Sequence, residues 1–101
     1  MAKVVIVIPT YNERENTEKM IEALGTELPE IKNHEVHVLY VDDTSPDKTY
    51  EVVREKGEKY PWLHLLLNAE KKGLGVAYAK GFTYAIDKLG ADYVMEFDAD
   101  F

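Results

Sequence analysis

Four short runs of aliphatic and β-branched residues constrain this chain more than anything else in it. They are Val4–Ile8, Val36–Val41, Leu63–Leu67 and Tyr93–Phe97. Each has the length of a strand, and none alternates cleanly between apolar and polar positions. A run apolar on both sides suits a strand buried on both faces, as in a parallel sheet. Between the runs lie three segments with helical spacing. Over Glu15–Leu28, the residues Met20, Ile21, Leu24 and Leu28 share a face, and Pro29 helps to end the helix. Over Asp47–Tyr60, the turn and cap signal Ser45-Pro46-Asp47 leads in, and Val52 and Val53 face inward. Over Leu74–Leu89, a broad stripe of Leu74, Ala77, Tyr78, Gly81, Phe82, Ala85, Ile86 and Leu89 precedes the stop at Gly90. Strand and helix alternate throughout, which predicts an α/β domain: three layers, with a mostly parallel sheet of about four strands between helices.

Composition agrees and removes several classes. The chain has 101 residues, 46% of them apolar, which is globular rather than disordered. It has no cysteine, hence no disulfide framework and no thiolate metal site. Twelve basic against nineteen acidic side chains leave a formal charge of −7, so no nucleic-acid partner is expected. No apolar run approaches the roughly 18 residues of a membrane span. Val4–Ile8 is not followed by a small-residue cleavage site, so a soluble, cytoplasmic chain is expected. There is no linker, repeat or low-complexity stretch. The sequence stops at Phe101, just after the fourth run, with no helix to follow it. A parallel sheet needs cover on both faces. The expectation is an N-terminal part of a larger enzyme, or a module that covers its open surface by self-association.

Right-handed crossovers restrict the topology, and the strand order expected is 3-2-1-4. In open α/β sheets ligands bind beyond the carboxyl ends of the strands, where the chain reverses direction across the sheet. Three clusters converge there. Pro9-Thr10-Tyr11-Asn12-Glu13 follows the first strand, Asp42-Asp43-Thr44-Ser45 the second and Asp98-Ala99-Asp100 the fourth. Asp98 and Asp100, two apart at the end of a buried strand, point roughly the same way and repel one another. A hard divalent cation with phosphate oxygens on its far side would relieve that repulsion; the alternative is a polar strand end in solvent. Asp42 and Asp43 can accept hydrogen bonds from a ribose or a base. The alternative is that Asp42, Ser45 or Asp47 caps the next helix, and one of them is expected to do so in any case. Tyr11 offers a flat ring and Glu13 an acceptor, although the segment also reads as a plain loop. Lys71-Lys72-Gly73-Leu74-Gly75 opens the third helix and suits an anion such as a diphosphate, or else is a helix cap. It is no dinucleotide fingerprint, because Tyr78 holds the last position and the loop follows the third strand. His34, His37 and His64 show no ligand spacing and are assigned no role.

Together these motifs resemble the nucleotide-sugar-binding half of a family 2 glycosyltransferase with the GT-A fold, a Rossmann-like arrangement. The subgroup they resemble is the dolichol-phosphate (polyprenol-phosphate) mannose synthases. The matching stretches are Val7–Asn16, Val41–Asp47, Lys72–Tyr78 and Glu96–Asp100, in order and spread over essentially the whole chain. Lys48 departs from the pattern, which has glycine after Ser-Pro-Asp.

The resemblance implies that residues 1–101 are the nucleotide-sugar-binding part, ending just after the Asp-x-Asp motif. Pro9, Thr10, Tyr11, Glu13, Asp42, Asp43, Lys72, Asp98, Ala99 and Asp100 would then contact the nucleotide sugar. Asp43 is the stronger candidate of its pair, and Asp98 and Asp100 would hold Mg²⁺ or Mn²⁺. The donor implied is GDP-mannose, or else a UDP-sugar, and the acceptor a lipid phosphate at the cytoplasmic membrane face. Transfer would be inverting, with no catalytic base identified in this chain, and the chain alone is expected to be inactive. Two other classes stay in view. One is a non-catalytic nucleotide-binding or self-associating module, which would need no metal. The other is a receiver-type signalling domain. That fold wants an acid pair after the first strand and an aspartate after the third, where this chain has Pro-Thr-Tyr and Asn68-Ala69.

Overall fold

The computed structural model describes residues 1–68 and 74–97. Four strands alternate with three helices. β1 spans Ala2–Thr10, α1 Arg14–Glu27, β2 His34–Asp42, α2 Thr49–Gly57, β3 Leu63–Leu67, α3 Leu74–Asp87 and β4 Tyr93–Glu96. The sheet is parallel throughout, in the order β3-β2-β1-β4. Both the fold class and the strand order read from the sequence are therefore observed.

The missing alternation in the two inner strands has a direct cause: β1 and β2 are buried on both faces. On one face Ile6, Ile8, Val38 and Tyr40 pack against Ile21 of α1 and Val52 and Val53 of α2. On the other, Val5, Val7, Leu39 and Val41 pack against Ala77 and Ala85 of α3. Each valine, leucine or isoleucine among them, taken out of water, contributes on the order of 1.5–3 kcal/mol.

α3 lies close to the sheet because Gly81 has no side chain. A Cβ there would stand 2.5 Å from Val7 Cγ1 and 3.0 Å from Val41 Cγ2. Ile86 does not join the apolar stripe expected of α3. It is 56% exposed, on the side turned from the sheet. The stripe is centred on Ala77, Gly81 and Ala85, four residues apart, with Tyr78, Phe82 and Leu89 packed at its margin.

The ends of the elements differ from the sequence reading in ways that matter for the site. β1 and β2 each run to nine residues, because ladder bonding extends past the apolar stretch into polar residues. Pro9 and Thr10 thus belong to β1 rather than to the loop after it. Proline is tolerated in this inner strand for a geometric reason. Val7 accepts a hydrogen bond from the Phe97 N–H, so the peptide groups of Val7 and Pro9 face β4. At Pro9 that direction lies beyond Glu96, where β4 has ended, and no described ladder bond is lost. Pro29 does not stop α1 abruptly; the chain passes through a tight turn at Leu28–Glu30 first. α2 starts two residues later than its cap signal suggests. β4, at the edge of the sheet, leaves Tyr93 and Met95 exposed. Among the described residues no helix is long and apolar enough to cross a membrane.

Candidate functional site at the carboxyl edge of the sheet

Parallel pairing sets Thr10 directly beside Asp42 at the carboxyl ends of β1 and β2. The Thr10 hydroxyl donates to Asp42 Oδ1 at 2.6 Å. The Ser45 hydroxyl donates to the same oxygen at 2.7 Å, and the Ser45 N–H to Oδ2 at 2.9 Å. Asp42 has no exposed surface. Its carboxylate is consumed in folding the loop back onto the strand end. A buried carboxylate is tolerable when its oxygens accept several hydrogen bonds in this way.

The loop after β1 is fastened to the loop after β2 along its length. The Asn12 N–H donates to the Ser45 hydroxyl oxygen at 2.9 Å, and the Asp47 N–H donates to Asn12 Oδ1 at 3.2 Å. The Glu13 N–H donates to Thr49 Oγ1 at 3.2 Å. The Arg14 guanidinium donates to the carbonyls of Asp47 and Lys48 at 3.0 and 3.1 Å. Asp47 accepts from the N–H and hydroxyl of Thr49, so it is the carboxylate that satisfies the start of α2. The N-cap position itself is Lys48, whose side chain makes no capping bond, so of Asp42, Ser45 and Asp47 only Asp47 reaches the helix start, through the Thr49 N–H. Asn12, Thr44 and Lys48 adopt positive φ, at 54°, 50° and 62°. Three left-handed non-glycine residues in two adjoining loops mark a backbone held by its surroundings. Lys48 stands where the resembled pattern has glycine, and its φ of 62° is the backbone state that glycine enters freely.

Asp43 behaves differently from its neighbour. Its N–H donates to the Thr10 carbonyl at 3.2 Å. One carboxylate oxygen, Oδ1, accepts from the Asn68 side-chain amide at 2.7 Å. The other oxygen makes no hydrogen bond among the described residues. Among the described residues, Asp43 alone of the acidic pair has a carboxylate oxygen without a hydrogen bond, and it keeps some exposed surface, 7%.

The structure therefore brings Pro9, Thr10, Tyr11, Glu13, Asp42 and Asp43 to one edge. Thr10 is buried and committed to Asp42, whereas Pro9, Tyr11 and Glu13 are partly exposed. Glu13 Oε2 accepts from the Asn16 amide at 3.1 Å. Lys72, Asp98, Ala99 and Asp100 lie outside the described residues. β4 carries the chain toward this edge on the far side of β1 from β2, as the order β3-β2-β1-β4 requires. Beside the two loops is an open hollow of about 500 Å³ bordered by residues 12–16, Glu18 and Asp47. Its carboxylates outnumber its one guanidinium, so it repels a bare anion.

Two groupings were missed from sequence. Asn68 is one; nothing marks an amide after an apolar strand as a partner for a residue 25 positions away. The other lies toward the amino ends of the strands. His37 Nδ1 and His64 Nε2 are hydrogen-bonded at 2.8 Å, and His37 Nε2 is bonded to Glu35 at 2.6 Å. Spacing could not show this pair, because the β2–β3 register makes it. Burial, with His37 and Lys3 nearby, holds the His64 imidazole below its ordinary range. No group of three possible metal ligands occurs among the described residues.

With the geometry in place, comparison with known proteins is informative. The family model for glycosyl transferase family 2 matches residues 5–101. The dolichol-phosphate mannosyltransferase of Pyrococcus furiosus is 40% identical over 98 residues, 97% of this chain and 26% of the relative. The undecaprenyl-phosphate mannosyltransferase of Micrococcus luteus is 38% identical over the same share of this chain and 38% of its own length. Among solved structures, a Pyrobaculum calidifontis mannosyltransferase in complex with GDP-Man and Mn²⁺ superimposes with a TM-score of 0.60 at 30% identity. That match covers 81% of this chain and 24% of the other. The chain thus spans between about a quarter and two-fifths of the length of these relatives.

Proposed function

This chain belongs to glycosyl transferase family 2, and from that premise we propose that it is the donor-binding part of a polyprenyl-phosphate mannosyltransferase using GDP-mannose. The observation that carries the proposal is the fastening of the β1 and β2 ends into one edge, at which Asp43 has a carboxylate oxygen with no partner among the described residues. That edge lies beside the reversal of strand order, where open α/β sheets take their ligands. Support comes from relatives named as dolichol- and undecaprenyl-phosphate mannosyltransferases. The structural neighbour holding GDP-Man and Mn²⁺ adds to it.

In this reading Asp43 accepts an N–H or O–H from the base or ribose. Thr10, Asp42 and Ser45 hold the backbone that presents it, and Tyr11 and Pro9 supply surface for the nucleoside. Lys72, just before α3 in sequence, is the cation assigned to the diphosphate charge. Asp98 and Asp100 are the residues to hold Mg²⁺ or Mn²⁺, since carboxylate oxygens are the donors such hard ions take. A divalent ion there, when bound, neutralises charge developing on the departing diphosphate. The lipid phosphate oxygen forms the new bond to the anomeric carbon as the bond to the nucleoside diphosphate breaks. An already ionised acceptor needs no general base, in keeping with a site edge that offers carboxylates but no histidine. The proposal includes the cytoplasmic membrane face as the place where the whole protein meets such an acceptor.

Calorimetric titration of this chain with GDP and UDP, each with and without Mn²⁺, tests the proposal. Binding of GDP that requires the metal is expected. Metal-independent binding would favour a non-catalytic nucleotide module, and preference for UDP would remove GDP-mannose. Incubation with GDP-mannose and a polyprenyl phosphate is expected to give no product from this chain alone.

A further inference from the structure

We propose that Asn68, to which sequence reasoning gave no part, is a positioning residue that sets the Asp43 carboxylate for nucleoside recognition. The inference rests on the donor-site reading above. Asn68 follows β3 directly and is 3% exposed. It meets the 42–44 segment at three points. Its N–H donates to the Asp42 carbonyl at 2.8 Å, its carbonyl accepts from the Thr44 hydroxyl, and its side-chain Nδ2 donates to Asp43 Oδ1 at 2.7 Å. Two of these contacts are main-chain on the Asn68 side and would survive loss of the amide. The third is the only one that depends on which side chain stands there.

That third contact is chemically specific. A carboxylate only accepts, so the amide must turn its NH₂ toward Asp43. A bond to an ionised acceptor in a site this buried is stronger than one between neutral groups. With Oδ1 held, rotation of the carboxylate is stopped, and Oδ2 is the oxygen left for a ligand. Without the amide, a buried oxygen loses its partner, and the carboxylate gains from turning toward water. Preorganised acceptors bind more tightly because ordering them is not part of the binding step.

The test is a double-mutant cycle on this chain, read as the Kd for GDP with Mn²⁺. N68A is expected to weaken binding roughly tenfold, on the scale of one charge-assisted hydrogen bond. Made in a D43A background it is expected to change Kd less than about twofold, because nothing remains to be oriented. A second variant guards against loss of fold. N68D keeps the shape but sets carboxylate against carboxylate. Its binding is expected to be weak at neutral pH and to recover toward pH 5, where one shared proton restores the hydrogen bond. A merely structural asparagine would give equal losses in both backgrounds and no recovery in acid, and either result overturns the proposal while leaving the donor site standing. If the unaltered chain binds neither GDP nor UDP with Mn²⁺, the donor-site reading falls and the role of Asn68 falls with it.

Discussion

Replacing Gly81 by alanine sets two known effects against each other, and the structure decides between them. Gly81 lies inside α3, where helix propensity favours alanine by about 0.8–1.0 kcal/mol. A helix considered alone would be stabilised. On this sheet the new Cβ would come within 2.5 Å of Val7 Cγ1 and 3.0 Å of Val41 Cγ2. The first distance is about 1 Å inside ordinary carbon–carbon contact. Val7 and Val41 are both fully buried. They sit on the two inner strands, and as β-branched residues they have few rotamers to retreat into. The helix must therefore rise off the sheet, thinning the contacts of Ala77 and Ala85 as well. Overpacking of this kind costs about 1–3 kcal/mol, and so short an approach belongs near the top of that range. Subtracting the propensity gain leaves a net loss of about 1–2 kcal/mol. For a domain this size that is a fall of about 5–15 °C in thermal midpoint. Thermal unfolding followed by far-UV circular dichroism, with urea midpoints alongside, measures it. A midpoint unchanged or raised in G81A would show that α3 is not seated on the sheet as described, and would unsettle the helix start that leads from the site.

Three further outcomes are expected. K48G relieves a left-handed lysine at φ 62°; set against the added freedom of glycine in the unfolded chain, it should gain about 0.5–1 kcal/mol, and a loss in urea unfolding would mean that the lysine side chain itself holds the loop. Y40F removes a buried hydroxyl that has no hydrogen-bond partner among the described residues. It should be neutral or raise stability by up to about 1 kcal/mol, while a clear loss would reveal a bonded partner such as an internal water. Finally, because burial depresses His64 in the fold, the unfolded chain takes up its proton first as pH falls through about 6.5. The thermal midpoint should therefore drop between pH 7.5 and 5.5, and less so in H64Q. Parallel pH profiles for the two proteins would refute that assignment.

The alternation of strand-length runs with helical spacing determined the fold class, the parallel sheet and its order, because periodicity and crossover handedness act locally along the chain. It also placed Thr10, Asp42 and Asp43 at one edge, since every strand of a parallel sheet ends there. What it could not separate was Asp42 from Asp43. Both are acidic and adjacent, yet alternate residues of a strand face opposite ways. The pairing of Thr10 with Asp42 turned one carboxylate into a loop fastening and left the other with an oxygen unbonded among the described residues. Asn68 and the His37–His64 pair were illegible for the same reason. Each contact joins residues 25 or 27 positions apart. Only the register between strands, fixed when side chains from several elements pack at once, decides which of them meet.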